Sequence, residues 1–233
     1  MNGKLTEKLR AIMTIVLCAL AAVGIALFIT VNLSPLFIHF PSAGIRHLTR
    51  GQICADYWHL LAYLELPWVG PLQLQSIPLT SQAVTHFRDV RHLLLTGELV
   101  GGVSLVLAVW LLDKQKRQGQ LWRLLSPLKW SLFLIVMFVW IPLINFSTDF
   151  VAFHRVLFAN QDWLFSPRRD PIILLMPEQF FWHLFMVWLV ITILLMGSLW
   201  GWLMFVLGFS KFRTNKTNNR RDQGYHDDRQ DDD

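Results

Sequence analysis

The sequence holds little that a fold built on disulfides, surface charge or glycine-rich loops would need. It has two cysteines; Cys18 lies inside an apolar run and Cys54 outside one, which excludes a structural disulfide between them. Charged residues make up 16% of the chain, against roughly a quarter in soluble domains. Nucleotide-binding glycine loops, paired cysteines and serine-nucleophile elbows are absent, which removes the common signatures of nucleotide binding, zinc ribbons and serine hydrolysis. Lysine is missing from two long stretches, 34–92 and 147–179, whose cations are all arginine apart from histidine. Leu17 precedes Cys18, where a lipoprotein cleavage site needs a small residue.

What is present in quantity is apolar. Hydrophobic residues reach 54%, with 17 Phe and 11 Trp in 233 residues, and that composition points to a bilayer rather than to an aqueous core. Four runs meet or approach the ~20 apolar residues that carry a helix across hydrocarbon: 11–33, 93–112, 128–146 and 180–209. The first is too long for a signal-peptide core and has no small-residue cleavage site, so it is expected to stay as an anchor. The fourth begins with Gln179, Trp182 and His183, which suit the interface better than hydrocarbon.

The basic residues sort by side. Lys4, Lys8 and Arg10 precede the first run, Lys114, Lys116, Arg117, Arg123 and Lys129 surround the loop 113–127, and Lys211, Arg213, Lys216, Arg220 and Arg221 follow the fourth run. Cations flanking membrane segments stay in the cytoplasm, so both termini and the 113–127 loop are expected there, with 34–92 and 147–179 on the extracytoplasmic face. The net charge of +5 is then lipid topology, and no nucleic-acid partner is expected. The tail 210–233 is polar and charged with almost no apolar residues, and is expected to be disordered.

The segment 34–92 is too long to remain without structure of its own. Ile53, Tyr57, Leu60, Leu61 and Leu64 recur at helical spacing, whereas Leu72, Leu74 and Ile77 alternate roughly with polar neighbours as a short strand does. Thr80 or Ser81 is placed to cap a helix that carries His86 and Asp89 and runs on into the second span. The fold class is therefore an all-α membrane protein: four transmembrane helices with a small extracytoplasmic subdomain, of short helices and a little β, between helices 1 and 2. Residues 1–209 form a single membrane domain.

His86 and Asp89 share a helix face, where a carboxylate can fix the imidazole tautomer; the same residues also suit a solvated interfacial helix with Arg88, Arg91 and His92. His154 lies in an aromatic-rich stretch, Phe150 to Phe158, with Arg155 beside it; interface anchoring explains that pattern equally well. Glu98, shallow in the second span, and Asn145 and His183, near helix ends, are lesser candidates. Two histidines invite a metal, yet nothing supplies a further ligand at diagnostic spacing.

Two ordered motif sets resolve some of this ambiguity. Asp56-Tyr57, Leu60-Leu61-Ala62-Tyr63-Leu64, Ser81 and His86-Phe87-Arg88-Asp89-Val90 form the first. Phe153-His154, Phe158, Asn160, Trp163, Asp170 and the run from Met176 to Phe181 form the second. Together they resemble the bacterial integral membrane family of lipoprotein intramolecular transacylases. The resemblance implies transfer of the sn-2 acyl chain of a diacylglyceryl-cysteine lipoprotein onto its own N-terminal amine. It further implies His86 and His154 as general acid and base, with Asp89 orienting His86. Tyr57, Arg155, Asn160, Trp163 and Asp170 would bind or orient substrate. The implied partners are a diacylated lipoprotein N-terminus and membrane lipid, with no cofactor and no metal. A non-catalytic scaffold or lipid-binding protein is the alternative class, and a transporter a weaker one, because the spans are poor in polar residues.

Overall fold

The structure, a computed structural model, describes the backbone of residues 2–40 and 48–227 and the side chains of 3–40, 48–137 and 145–208. Among the described residues five α-helices follow one another: α1 (Asn2–Leu33), α2 (Arg50–Glu65), α3 (Ser81–Arg117), α4 (Leu125–Leu157) and α5 (Glu178–Asp227). Short 3₁₀ turns at Ser34–Phe37, Leu121–Leu124 and Pro171–Leu174 join or precede them. Among the described residues, three helices are long and apolar enough to cross a membrane, over Gly3–Phe37, Ser81–Arg117 and Glu178–Gly208. The remaining expected span, 128–146, falls in α4, where side chains 138–144 lie outside the described residues. Val106 and Leu194, exposed at 70% and 62%, show the helix surfaces that a bilayer rather than water must cover.

α1 runs through the middle of the bundle and touches α3, α4 and α5. Its seam with α3 is unusually tight: a Cβ on Gly24 would stand 2.6 Å from the Cα of Gly101, so two glycines let the backbones meet. At one end of the bundle Gln115 and Thr14, both buried, join by a 2.6 Å hydrogen bond, and Arg123 pairs with Glu7. α3 stops where Gly119 adopts φ +65°, the left-handed turn that glycine takes at least cost.

The opposite end forms a second core. Tyr57 and Leu60 of α2, Ile77, Phe87 of α3, and Ile172 and Phe180 pack together there. This head therefore draws on both connecting segments, 34–92 and 147–179, rather than on the first alone. α2 starts with a reciprocal cap: Thr49 Oγ1 accepts from the Gln52 N–H and the Gln52 side chain accepts from the Thr49 N–H. Its last residue, Glu65, accepts from Asn32 Nδ2 of α1 at 3.3 Å. Burial, with the Glu98 carboxyl beside it, pushes the Glu65 acid up to about 7.

The expected strand at 72–77 does not form; there is no strand among the described residues. The reason is a carboxylate. Asp56, 2% exposed, accepts the N–H groups of Gln75, Ser76 and Ile77 at 2.9, 2.9 and 2.8 Å, so three donors that a sheet neighbour would have taken are already bound. The tail also departs from expectation. No proline interrupts it, and propagation from an existing helix end needs no new nucleus, so α5 continues to Asp227; residues 228–233 lie outside the described residues.

Candidate active site

α3 begins as the sequence indicates. Thr80 has extended backbone angles, and its side chain accepts from the Ala83 N–H at 3.2 Å, capping the helix. Three polar turns follow before the apolar run at 93–112, and they carry His86 and Asp89. α4 reaches the same place by a different device. Asn145 leaves helical geometry at φ −157° and ψ 82°, and its Oδ1 accepts from the Thr148 N–H at 3.2 Å, so one helix ends and another, carrying His154, is capped.

The two histidines meet across these helices with ring centroids 6.0 Å apart and planes inclined at 36°. His86 is 7% exposed and walled by Phe158 at 4.9 Å and Phe165 at 5.4 Å, both in T-shaped contact with its ring. His154, half-buried, lies against Phe150 at 4.2 Å and Trp163 at 5.1 Å. Its Nδ1 stands 2.7 Å from the Phe150 carbonyl oxygen. A carbonyl only accepts, so Nδ1 carries the proton and Nε2 keeps its lone pair. The Nδ1 of His86 is buried without a hydrogen-bond partner.

The aromatic surroundings disfavour charge on both rings. Burial pushes the His86 imidazole down to about 4; a proton on His154 pushes the same way, and the Asp89 carboxylate opposes both. Burial also lowers His154, against the Phe150 hydrogen bond. At neutral pH the site therefore presents two uncharged imidazoles in an apolar cleft, able to accept a proton and hand it on.

The other expected site residues divide. Asp89 is close, but its carboxylate receives Asn160 Nδ2 at 3.0 Å rather than a His86 nitrogen. Asn160 is itself fixed: its Oδ1 accepts from the Asp162 N–H and its carbonyl from Trp163 Nε1. Arg155 is exposed and follows His154 directly, about 100° around the helix from it. Tyr57 lies in the head core, its hydroxyl donating to Ser34 Oγ at 2.7 Å and its ring edge-on to Phe180. Asp170, 1% exposed, turns toward the start of α3, where Thr80 donates to it. His183 stacks on Phe37. Phe165 escaped the sequence reading, because it sits in an irregular stretch with no periodicity to flag it.

A family model described as the lipoprotein intramolecular transacylase Lit matches residues 12–181, most of the chain and both histidines. The chain belongs to that transacylase family. Among curated proteins, none matches it. The solved structure of the membrane integral lipoprotein intramolecular transacylase Lit from Bacillus cereus superposes with a TM-score of 0.80 at 22% identity, over 90% of this chain and 99% of that one. Two structures of the same Bacillus cereus protein carry a single histidine substituted. The arginine variant matches with a TM-score of 0.74 at 21% identity, over 91% of this chain and 96% of the other. The alanine variant gives 0.75 at 21%, over 90% and 97%. The transacylase fold thus extends over nearly the whole chain, and membership of the family supports acyl transfer at a membrane.

Proposed function

We propose that this chain moves the sn-2 acyl chain of a diacylglyceryl-modified N-terminal cysteine onto that cysteine's own α-amine, leaving a lyso-form lipoprotein. The observation that carries this reading is the pair of uncharged, aromatic-walled imidazoles, His86 and His154, brought together from two helices. The α-amine nitrogen attacks the ester carbonyl, an amide C–N bond forms, and the sn-2 C–O bond breaks. One proton leaves the amine and one reaches the departing sn-2 oxygen, so the products are an amide and an alcohol. A neutral imidazole accepts the first proton and its conjugate acid supplies the second, which makes His86 and His154 the acid and base.

Asp89, held by Asn160, favours the protonated form of His86 through its charge and so stabilises the imidazolium formed during transfer. The fixed tautomer of His154 gives it an open Nε2 for the same purpose. Arg155 and Trp163 flank His154 and fit the carbonyl oxygen and the acyl chains; Tyr57 and Asp170 support the site from the head core. Because amine and ester belong to one molecule, the aromatic walls contribute by holding them in contact. The topology in this reading has four spans, both termini in the cytoplasm and the site at the extracytoplasmic interface, supported by the placement of lysine.

The test uses a bacterial host that displays only diacylated lipoproteins, expressing this chain or its His86→Ala or His154→Ala variant. N-terminal lipopeptides are then fragmented in a mass spectrometer, since the transfer leaves total mass unchanged. One acyl chain on the amine and one on glycerol, lost in both variants, is the expected result. A free amine despite confirmed membrane expression would overturn the proposal.

A further inference from the structure

One carboxylate oxygen ties the segment 158–170 to the first turn of α3. Asp170 Oδ1 accepts both from the Thr80 hydroxyl, at 2.6 Å, and from the Thr80 N–H, at 3.2 Å, across 90 residues of chain. The same hydroxyl accepts from Ala83, so it cannot be removed without also uncapping the helix. Asp170 is 1% exposed, and a buried carboxylate that loses its donors is costly in a way a surface one is not. Two further bonds run between the same pieces: Gln82 Nε2 donates to the Gln161 carbonyl at 3.2 Å, and Asn160 donates to Asp89. The tied positions 80, 82 and 89 bracket His86, and the tied segment supplies Phe158 and Phe165, the two rings that shield it.

We propose that Thr80 and Asp170 are positioning residues, whose clasp seats the 158–170 segment on the start of α3 and so keeps His86 dry and turned toward His154. The proposal rests on His86 acting in the transfer, but its geometric content does not. Neither Thr80 nor Asp170 meets the histidine rings; each acts through the backbone that places them. The titratable groups facing His86 are His154 from α4 and Asp89 from its own helix, and the clasp leaves both in place.

The experiment combines kinetics with a direct titration on the full-length protein in detergent, with carbon-labelled histidine observed by NMR and a synthetic diacylated lipopeptide as substrate. Thr80→Val keeps the shape of the side chain and removes the shorter of the two clasp bonds together with the Ala83 cap, leaving the backbone N–H; Asp170→Ala removes the acceptor of both clasp bonds and spares the cap; Thr80→Ser keeps both functions. Thr80→Val and Asp170→Ala should each lower kcat on the order of a hundredfold, as expected when a reacting group shifts by about 1 Å. In both, the His86 midpoint should rise toward the value of about 6.5 for a solvated imidazole, while Thr80→Ser stays close to wild type in both readouts. A risen midpoint with unchanged kcat would uphold the clasp and count instead against His86 as the base. A folded Thr80→Val protein with wild-type midpoint and kcat would overturn the proposal. So would failure of Thr80→Ser to restore both if Thr80→Val and Asp170→Ala do not fold.

Discussion

Asn160 donates to the Asp89 carboxylate at 3.0 Å, while Asp89, three residues beyond His86, makes no hydrogen bond to that ring. Asp89 consequently reaches His86 by charge alone. Asp89→Asn should cost roughly tenfold in rate, below the hundredfold or more that a group transferring the proton itself contributes, whereas His86→Ala should remove activity. The assay is lipopeptide turnover in detergent. Losses of equal size in the two variants would show that the carboxylate does more than bias the ring electrostatically.

Titration of His86 has a defined sign. Its folded pKa, about 4, lies below the value of about 6.5 for a free imidazole. Between these values the unfolded chain holds a proton that the folded one lacks, so the contribution of His86 to stability should fall as pH drops from about 6.5 to about 4. Glu65 titrates over nearly the same window with the opposite sign, so the slope is read as a difference: the melting temperature of the wild type relative to His86→Gln should fall as pH drops from about 6.5 to about 4. A difference that stays constant with pH would place the proton elsewhere.

Glu65 runs the other way. Its folded pKa near 7 exceeds the ordinary carboxylate value of about 4.3, so it destabilises the fold as pH rises through that interval. Glu65→Gln should raise the melting temperature at pH 8 and change little at pH 4. Equal shifts at both pH values would mean that a shape effect, and not charge, is at work.

Asp56→Ala strips three backbone donors of a charged acceptor inside the head. The expected loss is about 3 kcal/mol or more, concentrated in the loop 66–80. Limited proteolysis should cut this loop in the variant under conditions where the wild type survives.

At the α1–α3 seam, Gly24→Ala would drive a methyl into backbone, which cannot swing aside, and should destabilise by about 1–3 kcal/mol. Gly102→Ala, which meets nothing within 4 Å, is the control and should be neutral or stabilising by up to about 1 kcal/mol. Melting temperatures of the two proteins in the same detergent decide the matter.

What could be read in the sequence was whatever depends on near neighbours. The cap at Thr80, the polar turns bearing His86 and the apolar run behind them are written consecutively, and α3 follows them. α2 likewise shows in the spacing of Ile53, Tyr57 and Leu60. The strand at 72–77 was misread because its alternation is real but its backbone donors go to Asp56, nineteen residues earlier. His86 and His154 were singled out by motif and resemblance; their contact depends on where the site ends of α3 and α4 stand relative to each other, which no local pattern encodes. The link between Asp170 and Thr80, and the wall formed by Phe165, belong to the same class of long-range facts.

The break at Asn145 has a geometric consequence for the site. Along an uninterrupted helix, the direction of His154 would be locked to every residue before it, at about 100° per position. Adding or deleting one residue in the preceding segment would then rotate the imidazole away from His86. With the helix ended and restarted, the aim of His154 is set by the short arm that bears it, so the long part of α4 is free to vary in length and phase while the two rings keep their register.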